Sequence, residues 1–303
     1  MKWRKLGRII EPSKEIKWMQ THAMLPTVDY LEGDIYRVYF SGRDGENRSL
    51  IGYADIDISK EGFVVNIAKE PILGFGELGC FDDNGVTPTS IVTHNGKKYL
   101  YYVGWKPRST TRFGLIAGLA IGDSSGNFKR YSRAPILRTS NEEPIAILTA
   151  PFVMKNSDKW KMWYVSGIKW ENPDSPKYNI KYAESDNGID WKQNIAVCID
   201  AVSEDETALA RPCILKEDGI YKMWYSYKRD GKKYRMGYAE SDDGKKWMRM
   251  DDRIGIEASS GDEWDSEMIE YGFIFNHKGN KYMIYNGNGY GINGAGLAIQ
   301  EKQ

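Results

Sequence analysis

Cysteine is scarce in this chain. Cys80, Cys198 and Cys213 are an odd and widely spaced set. Such a set does not make a disulfide framework and suits a reducing compartment, so a cytoplasmic location is expected. Histidine is equally scarce. His22, His94 and His277 are far apart, which leaves a His-rich zinc site without ligands, and no metal or other cofactor is expected. No apolar run approaches the ~20 residues of a membrane span, and Met1 to Ile10 lacks the apolar centre of a signal peptide. Cys-x-x-Cys, P-loop and Gly-x-Ser-x-Gly motifs are absent. Gly291-Ile-Asn-Gly-Ala-Gly296 leads from a loop into a strand, so it is not a dinucleotide fingerprint. Net charge is lacking too. The 42 Lys and Arg residues balance 42 Asp and Glu, without the basic excess that binding a phosphate backbone needs. Neither nucleic acid nor membrane is therefore expected as a partner.

Aromatic residues, by contrast, are plentiful and regularly placed. They make up 13% of 303 residues, within a hydrophobic content of 41% that can fill a sizeable core. A short apolar segment recurs at Pro26, Pro88, Pro151, Pro212 and Gly272, at spacings of 62, 63, 61 and 60. An aromatic strand follows each landmark: Tyr36–Phe40, Tyr99–Val103, Trp160–Tyr164, Tyr221–Tyr225 and Tyr282–Tyr285. A third strand carries Ala54, Ala120, Ala183, Ala239 or Ala298 near its centre. Alternation with Tyr, Trp, Val and Ile marks these segments as β. Polar turns separate the first two strands: Glu32–Asp34, His94–Gly96, Asn156–Asp158, Glu217–Gly219 and His277–Gly279.

A fourth strand follows in repeats one to four, as Trp191–Val197 and as Trp247–Met250 running on to Ile256. Repeat five ends too early for one, while Trp3–Ile10 at the other end has the same form. The count predicts an all-β, five-bladed β-propeller of four-stranded antiparallel blades, its ring closed by the N-terminal strand in the last blade. Residues 1–303 then form one domain, with repeats at about 11–74, 75–138, 139–200, 201–257 and 258–303 plus 1–10. The Ser-Asp-x-Gly-x-x-Trp boxes at 185–191 and 241–247 read as turns whose Trp packs on a neighbouring blade.

Strand parity places the long second-to-third loops and the inter-blade connections on one face, where binding chemistry is expected. Asp82, Glu143, Glu206 and Glu270 precede different inner strands and are the candidate catalytic carboxyls. Arg43, Trp105, Trp170, Arg211, Arg229, Asp265, Asn288 and Tyr290 are candidate substrate contacts. The mix suits a carbohydrate, whose ring has an apolar face and a hydroxyl edge.

Five such repeats, with Tyr-Ala-Glu-Ser-Asp-x-Gly-x-x-Trp at 182–191 and 238–247, resemble the five-bladed propeller superfamily of glycoside hydrolase families 32, 43, 68 and 130. Phe81–Gly85, Gly104-Trp105, Glu143-Pro144, Trp264-Asp265 with Glu270-Tyr271, and Tyr285–Gly291 also resemble an uncharacterised family 32-like branch. The resemblance implies cleavage of a glycosidic bond by paired carboxyls in the central funnel. In the family 43 pattern a catalytic Asp stands immediately before the landmark Pro. The positions here are Leu25, Thr87, Ala150, Arg211 and Tyr271, none of them a carboxylate. The usual acid and base therefore do not carry across. Arg211 in that slot opens an alternative, a phosphorylase or transferase acting on an anionic sugar, and the missing acid at Leu25 opens another, a glycan-binding propeller without catalysis.

Overall fold

Nearly every segment with period-two alternation becomes a strand. A computed structural model describes residues 1–157 and 159–302. Asp158, in the expected Asn156–Asp158 turn, lies outside the described residues, as does Gln303. The N-terminal strand β1 spans Trp3–Ile10. Then come β2 (Thr21–Glu32), β3 (Ile35–Arg43), β4 (Ser49–Asp57) and β5 (Phe63–Ile67), paired in that order. The second unit is β6 (Val86–His94), β7 (Lys97–Pro107), β8 (Phe113–Gly122) and β9 (Phe128–Arg130). The third is β10 (Ile147–Lys155), β11 (Trp160–Asn172), β12 (Ser175–Ser185) and β13 (Lys192–Ile199). The fourth is β14 (Glu206–Glu217), β15 (Ile220–Arg229), β16 (Arg235–Ser241) and β17 (Met248–Arg249). The last is β18 (Glu270–His277), β19 (Asn280–Asn286) and β20 (Ala295–Gln300).

The N-terminal strand completes that last unit. β1 runs antiparallel to β20, from Trp3 opposite Gln300 to Ile10 opposite Ala295, and the sheet order is β1-β20-β19-β18. Trp3 and Ile10 are buried by this pairing. The fourth unit departs from expectation. Its outer strand is two residues long, and Asp251–Arg253 forms a 3-10 turn instead of continuing towards Ile256. The Asp251 carboxylate accepts the Tyr238 N–H at 3.0 Å, a backbone donor that a longer strand would have used.

The first strand of each unit lies innermost, and successive ones touch: β2 with β6, β6 with β10, β10 with β14, β14 with β18, and β18 with β2. Each carries a bulge at its landmark, where the pairing register with the second strand shifts. Proline has no N–H to give the ladder, and an extra residue there re-aims the chain. Leu25, Ala150, Arg211 and Tyr271 all adopt left-handed φ of 46–55° at this bulge. Such a conformation costs an L-residue roughly 1–2 kcal/mol, so its recurrence shows that the surrounding strands impose it.

The bulges are tied between units. Ser226 of β15 accepts the Tyr271 N–H at 2.8 Å, and Ser41 of β3 bonds Thr87 at 3.0 Å. Asn286 of β19 stands at the equivalent place and accepts the Leu25 N–H at 2.9 Å, tying the last unit to the first. All three cysteines are free, and among the described residues no helix is long and apolar enough to cross a membrane.

Candidate functional site

Four of the segments leading into an inner strand carry a buried acid with a full set of partners. Asp82 accepts the Tyr102 hydroxyl at 2.9 Å and pairs with Arg130 at 2.7 Å. Glu143 accepts the hydroxyls of Tyr164 and Ser166 and the amide of Gln193, and pairs with Lys181 at 3.2 Å. Glu206 holds both terminal nitrogens of Arg249, at 2.7 and 2.9 Å. Asp265 accepts the Tyr285 hydroxyl at 3.0 Å and pairs with Lys5 at 2.7 Å.

These contacts repeat with the fold. Tyr102, Tyr164, Tyr225 and Tyr285 occupy the same place in the second strands, and Tyr225 differs only in bonding Asp251, which Arg249 also holds. Arg130, Arg249 and Lys5 all come from an outer strand, opposite Ala120, Ala239 and Ala298. A methyl group at the third-strand position leaves space for the long basic side chain to cross the sheet. Glycine makes similar room: a Cβ at Gly118 would stand 2.3 Å from the Tyr102 ring. The first unit substitutes an apolar version. Trp18 packs on Phe40, which stands where the other units have Tyr, and its indole N–H donates to Ala68 O at 2.9 Å. Asp82, Glu143 and Glu206 are thus each engaged within their own unit rather than brought together, and Asp265 is engaged in the same way.

Glu270 is different. It is wholly buried, and neither carboxyl oxygen has a hydrogen-bond partner. Burial raises its pKa well above the carboxylate range, although the Tyr271 hydroxyl and the Lys228 ammonium stand near enough to oppose the shift. Its neighbours are tyrosines. Burial pushes Tyr178, Tyr234, Tyr271 and Tyr290 up, and the Glu270 charge adds to the shift of all four. Tyr178 and Tyr234 share a 2.5 Å hydroxyl–hydroxyl hydrogen bond. The Tyr234 ring lies 5.7 Å from Tyr271 and 6.3 Å from Tyr290. Trp170 and Phe113 pack at 5.4 Å in the same apolar group as Tyr178, Tyr234 and Tyr271.

Cations border this cluster. The Arg112 guanidinium acts on Tyr290 and on Arg43, whose pKa falls through burial first and Arg112 second. Arg43 bonds the Asn47 side chain at 2.9 Å and the Met24 sulfur, and among the described residues it has no carboxylate partner. His22 is held at about 4 by burial and by Arg43, so its ring is neutral near pH 7. Arg43, Arg112, Trp170, Tyr178, Tyr234 and Tyr290 lie in or beside the five second-to-third-strand connections, one or two from each unit.

The other candidates are dispersed. Trp105 is half-buried on β7, and Arg229 is exposed at the end of β15. Asn288 spends its side-chain amide on Glu267, Met268 and Glu263, which shapes its own loop. Arg211 is buried and reaches Pro26 and Thr27 of β2. Tyr178, Tyr234, Tyr271 and Phe113 stand outside the candidate set read from sequence. The signal for the first two was present: each lies five residues before the third-strand alanine of its repeat, Ala183 or Ala239. Among the described residues no group of three or more His, Cys, Asp or Glu is placed to hold a metal ion.

No family model matches the sequence. The chain is 42% identical over 302 residues to the uncharacterised protein MT1551 of Mycobacterium tuberculosis (strain CDC 1551), covering 99% of this chain and 100% of that one. Identity to the uncharacterised protein Rv1502 of strain H37Rv is 41% over the same length. Its structural neighbours are glycoside hydrolases of family 43 and family 32 type, from the five-bladed β-propeller superfamily. A glycoside hydrolase superposes with a TM-score of 0.75 at 18% identity, covering 99% of this chain and 92% of that chain. A thermostable family-43 glycoside hydrolase gives 0.68 at 17% identity, covering 92% and 89%. The family 32 β-fructofuranosidase of Bombyx mori gives 0.60 at 13% identity, covering 95% and 62%. At these identities the likeness is one of fold.

Proposed function

The chain belongs to one family with the M. tuberculosis proteins MT1551 and Rv1502, and we propose that it is a carbohydrate-active protein whose site surrounds Glu270. The scaffold in this reading is a single closed five-bladed β-propeller over residues 1–303. The cycle of contacts among β2, β6, β10, β14 and β18 and the β1–β20 pairing support it. The fold of glycosidic-bond enzymes supports the substrate class.

One observation carries the assignment of the site: among the described residues Glu270 is a buried acid whose carboxyl oxygens have no hydrogen-bond partner, its pKa raised by burial among tyrosines. A carboxyl protonated near neutral pH can give its proton to a glycosidic oxygen as the bond breaks. Trp170 and Tyr290 are the rings on which a sugar would stack, and Tyr178 and Tyr234, whose hydroxyls bond each other, flank the acid. Glycosidic hydrolysis ordinarily also needs a second, ionised carboxylate. Asp82, Glu143 and Glu206 are committed to other partners, which leaves Glu270 as the acid and the nucleophile to be supplied otherwise.

That point favours a second reading within the same site. A co-substrate bringing its own negative charge, such as inorganic phosphate, needs no carboxylate to activate it. Arg43 and Arg112, close together without a carboxylate bonded to either side chain, suit such an anion. The test is a screen of aryl glycosides and oligosaccharides with and without phosphate. Turnover that requires phosphate selects phosphorolysis, and turnover indifferent to it selects hydrolysis. Glycan binding without bond cleavage in any condition reduces the function to recognition. Absence of both binding and cleavage across the panel contradicts a carbohydrate site.

A further inference from the structure

Arg211 occupies a setting that the site around Glu270 does not explain. Its backbone lies at the bulge of β14, in left-handed conformation with φ of 53°. Its side chain runs from the fourth unit to the first, where Nη2 donates to Pro26 O at 2.8 Å and to Thr27 Oγ1 at 3.1 Å. Those units are not neighbours in the cycle of inner strands, because β18 stands between β14 and β2. The guanidinium passes Phe273 of β18, 5.5 Å from the ring centre. It therefore spans the space that the inner strands surround, and it is 1% exposed.

Two features of this cation are unresolved by protein groups. Nε and Nη1 have no hydrogen-bond partner. No salt bridge to Arg211 exists among the described residues, although twenty-three other pairs form. An unpaired charge in such a place is costly, and buried charges ordinarily find a counter-charge. Burial accordingly lowers the pKa to about 10, which still leaves the group charged near neutrality.

We propose that the middle of the ring holds a resident small monovalent anion, a halide such as chloride, against the free N–H groups of Arg211. The geometry selects a single-atom ligand. A guanidinium presents its hydrogens in a fixed fork, and Nη2 belongs to both two-pronged edges. With Nη2 spent on Pro26 and Thr27, neither edge is open to the paired oxygens of a carboxylate or phosphate. The hydrogens on Nε and Nη1 remain, and each can meet one compact acceptor. The anion would neutralise a charge that the fold places between non-adjacent units, and so would tie ring stability to halide. Of the Glu270 cluster, Tyr271 is the ionisable group that acts on Arg211.

The test uses the full chain at constant ionic strength, with chloride or bromide replacing gluconate, which is too large to enter. Melting temperature should rise saturably with halide, by several degrees at a concentration far above Kd. Arg211→Met should melt at a temperature indifferent to halide, and Glu270→Gln should keep the full response. Because the Met variant can fail to fold, crystals of the unaltered protein soaked in bromide supply an independent reading. An anomalous peak within contact distance of Arg211 Nε or Nη1 is expected. Halide-independent melting together with no peak at Arg211 overturns the proposal, and so does a halide response that survives in a folded Arg211→Met protein.

Discussion

Lys5, in the first strand of the chain, forms a 2.7 Å ion pair with Asp265, which leads into the last inner strand. Arg130 meets Asp82 and Arg249 meets Glu206 in the same way, each from an outer strand. The N-terminal strand therefore supplies both a ladder edge and the basic partner that its unit would otherwise lack.

Removing that strand should weaken the protein without touching the Glu270 cluster. Lys5→Met leaves Asp265 buried with the Tyr285 hydroxyl alone. The expected loss is about 3 kcal/mol, the low end for breaking a buried pair, since Lys5 is partly exposed. Deletion of residues 1–10 also exposes the surface under Trp3 and Ile10, at about 1.5–3 kcal/mol for each large side chain. Thermal melting of both variants checks this. A deletion that melts within about two degrees of the intact chain would contradict the closure.

The paired acids should behave as structural groups. Glu206→Gln breaks a two-pronged contact and leaves Arg249 with the Asp251 carboxylate and the Asp200 carbonyl, so the expected cost is about 3 kcal/mol in chemical denaturation. Asp82→Asn should cost a similar amount. Neither change should alter glycan affinity in protein that remains folded.

Glu270 should respond in the opposite sense. Its folded pKa is raised, so its contribution is fully present below the unfolded value near 4.5 and is lost as pH rises towards the folded value. Each pH unit in that window costs about 1.4 kcal/mol. Glu270→Gln keeps the shape and cannot ionise. It should equal the parent in stability near pH 4.5 and exceed it increasingly towards pH 7, as read by denaturant midpoints across pH. Identical pH profiles for the two proteins would mean that Glu270 is not held neutral.

His22 gives the complementary limb. Its folded pKa, about 4, lies below the ordinary 6.5, so the unfolded chain binds the proton more readily. Stability from this group is fully present above pH 6.5 and falls as pH drops towards 4. His22→Gln should flatten that acid limb, and an unchanged slope would show that His22 titrates normally.

How far the sequence carried these conclusions depended on the kind of signal. The five landmarks and the strand after each are local patterns, visible without any contact, and β1 was legible because Trp3 matches Trp191 and Trp247 in form. The outer strand of the fourth unit was overestimated, because the Asp251 carboxylate diverts a backbone donor that only the folded chain brings to it. The acids could not be sorted in advance. Asp82 and Glu206 each lie six residues before a landmark Pro and Glu270 only two before Gly272, but that spacing does not show that an outer-strand base reaches the first two across an alanine. Arg130 and Arg249 lie far along the chain from the acids they hold, whereas among the described residues neither Glu270 carboxyl oxygen has a hydrogen-bond partner. The tyrosine cluster was missed for a related reason. Tyr178 and Tyr234 belong to no motif of their own, and only folding places their hydroxyls together beside a buried carboxyl.

The rings around Glu270 should contribute binding more than chemistry. Trp170→Ala removes a stacking face and should weaken affinity for a bound oligosaccharide about tenfold, roughly the value of one aromatic contact, with little change in melting temperature. Isothermal titration with any glycan identified in the screen measures it. Unchanged affinity would place the sugar elsewhere on the ring.

The account turns on Glu270 being the working acid, and one comparison tests that most directly. With a glycoside that the protein cleaves, turnover is measured for the parent, Glu270→Gln and Glu206→Gln at a temperature where all three are folded. A general acid contributes about 10²–10⁴ in rate, so Glu270→Gln should lose at least 100-fold while melting no lower than the parent, and Glu206→Gln should keep its turnover while melting lower. Glu270→Gln working within a few-fold of the parent, or a folded Glu206→Gln losing its turnover, would contradict the account.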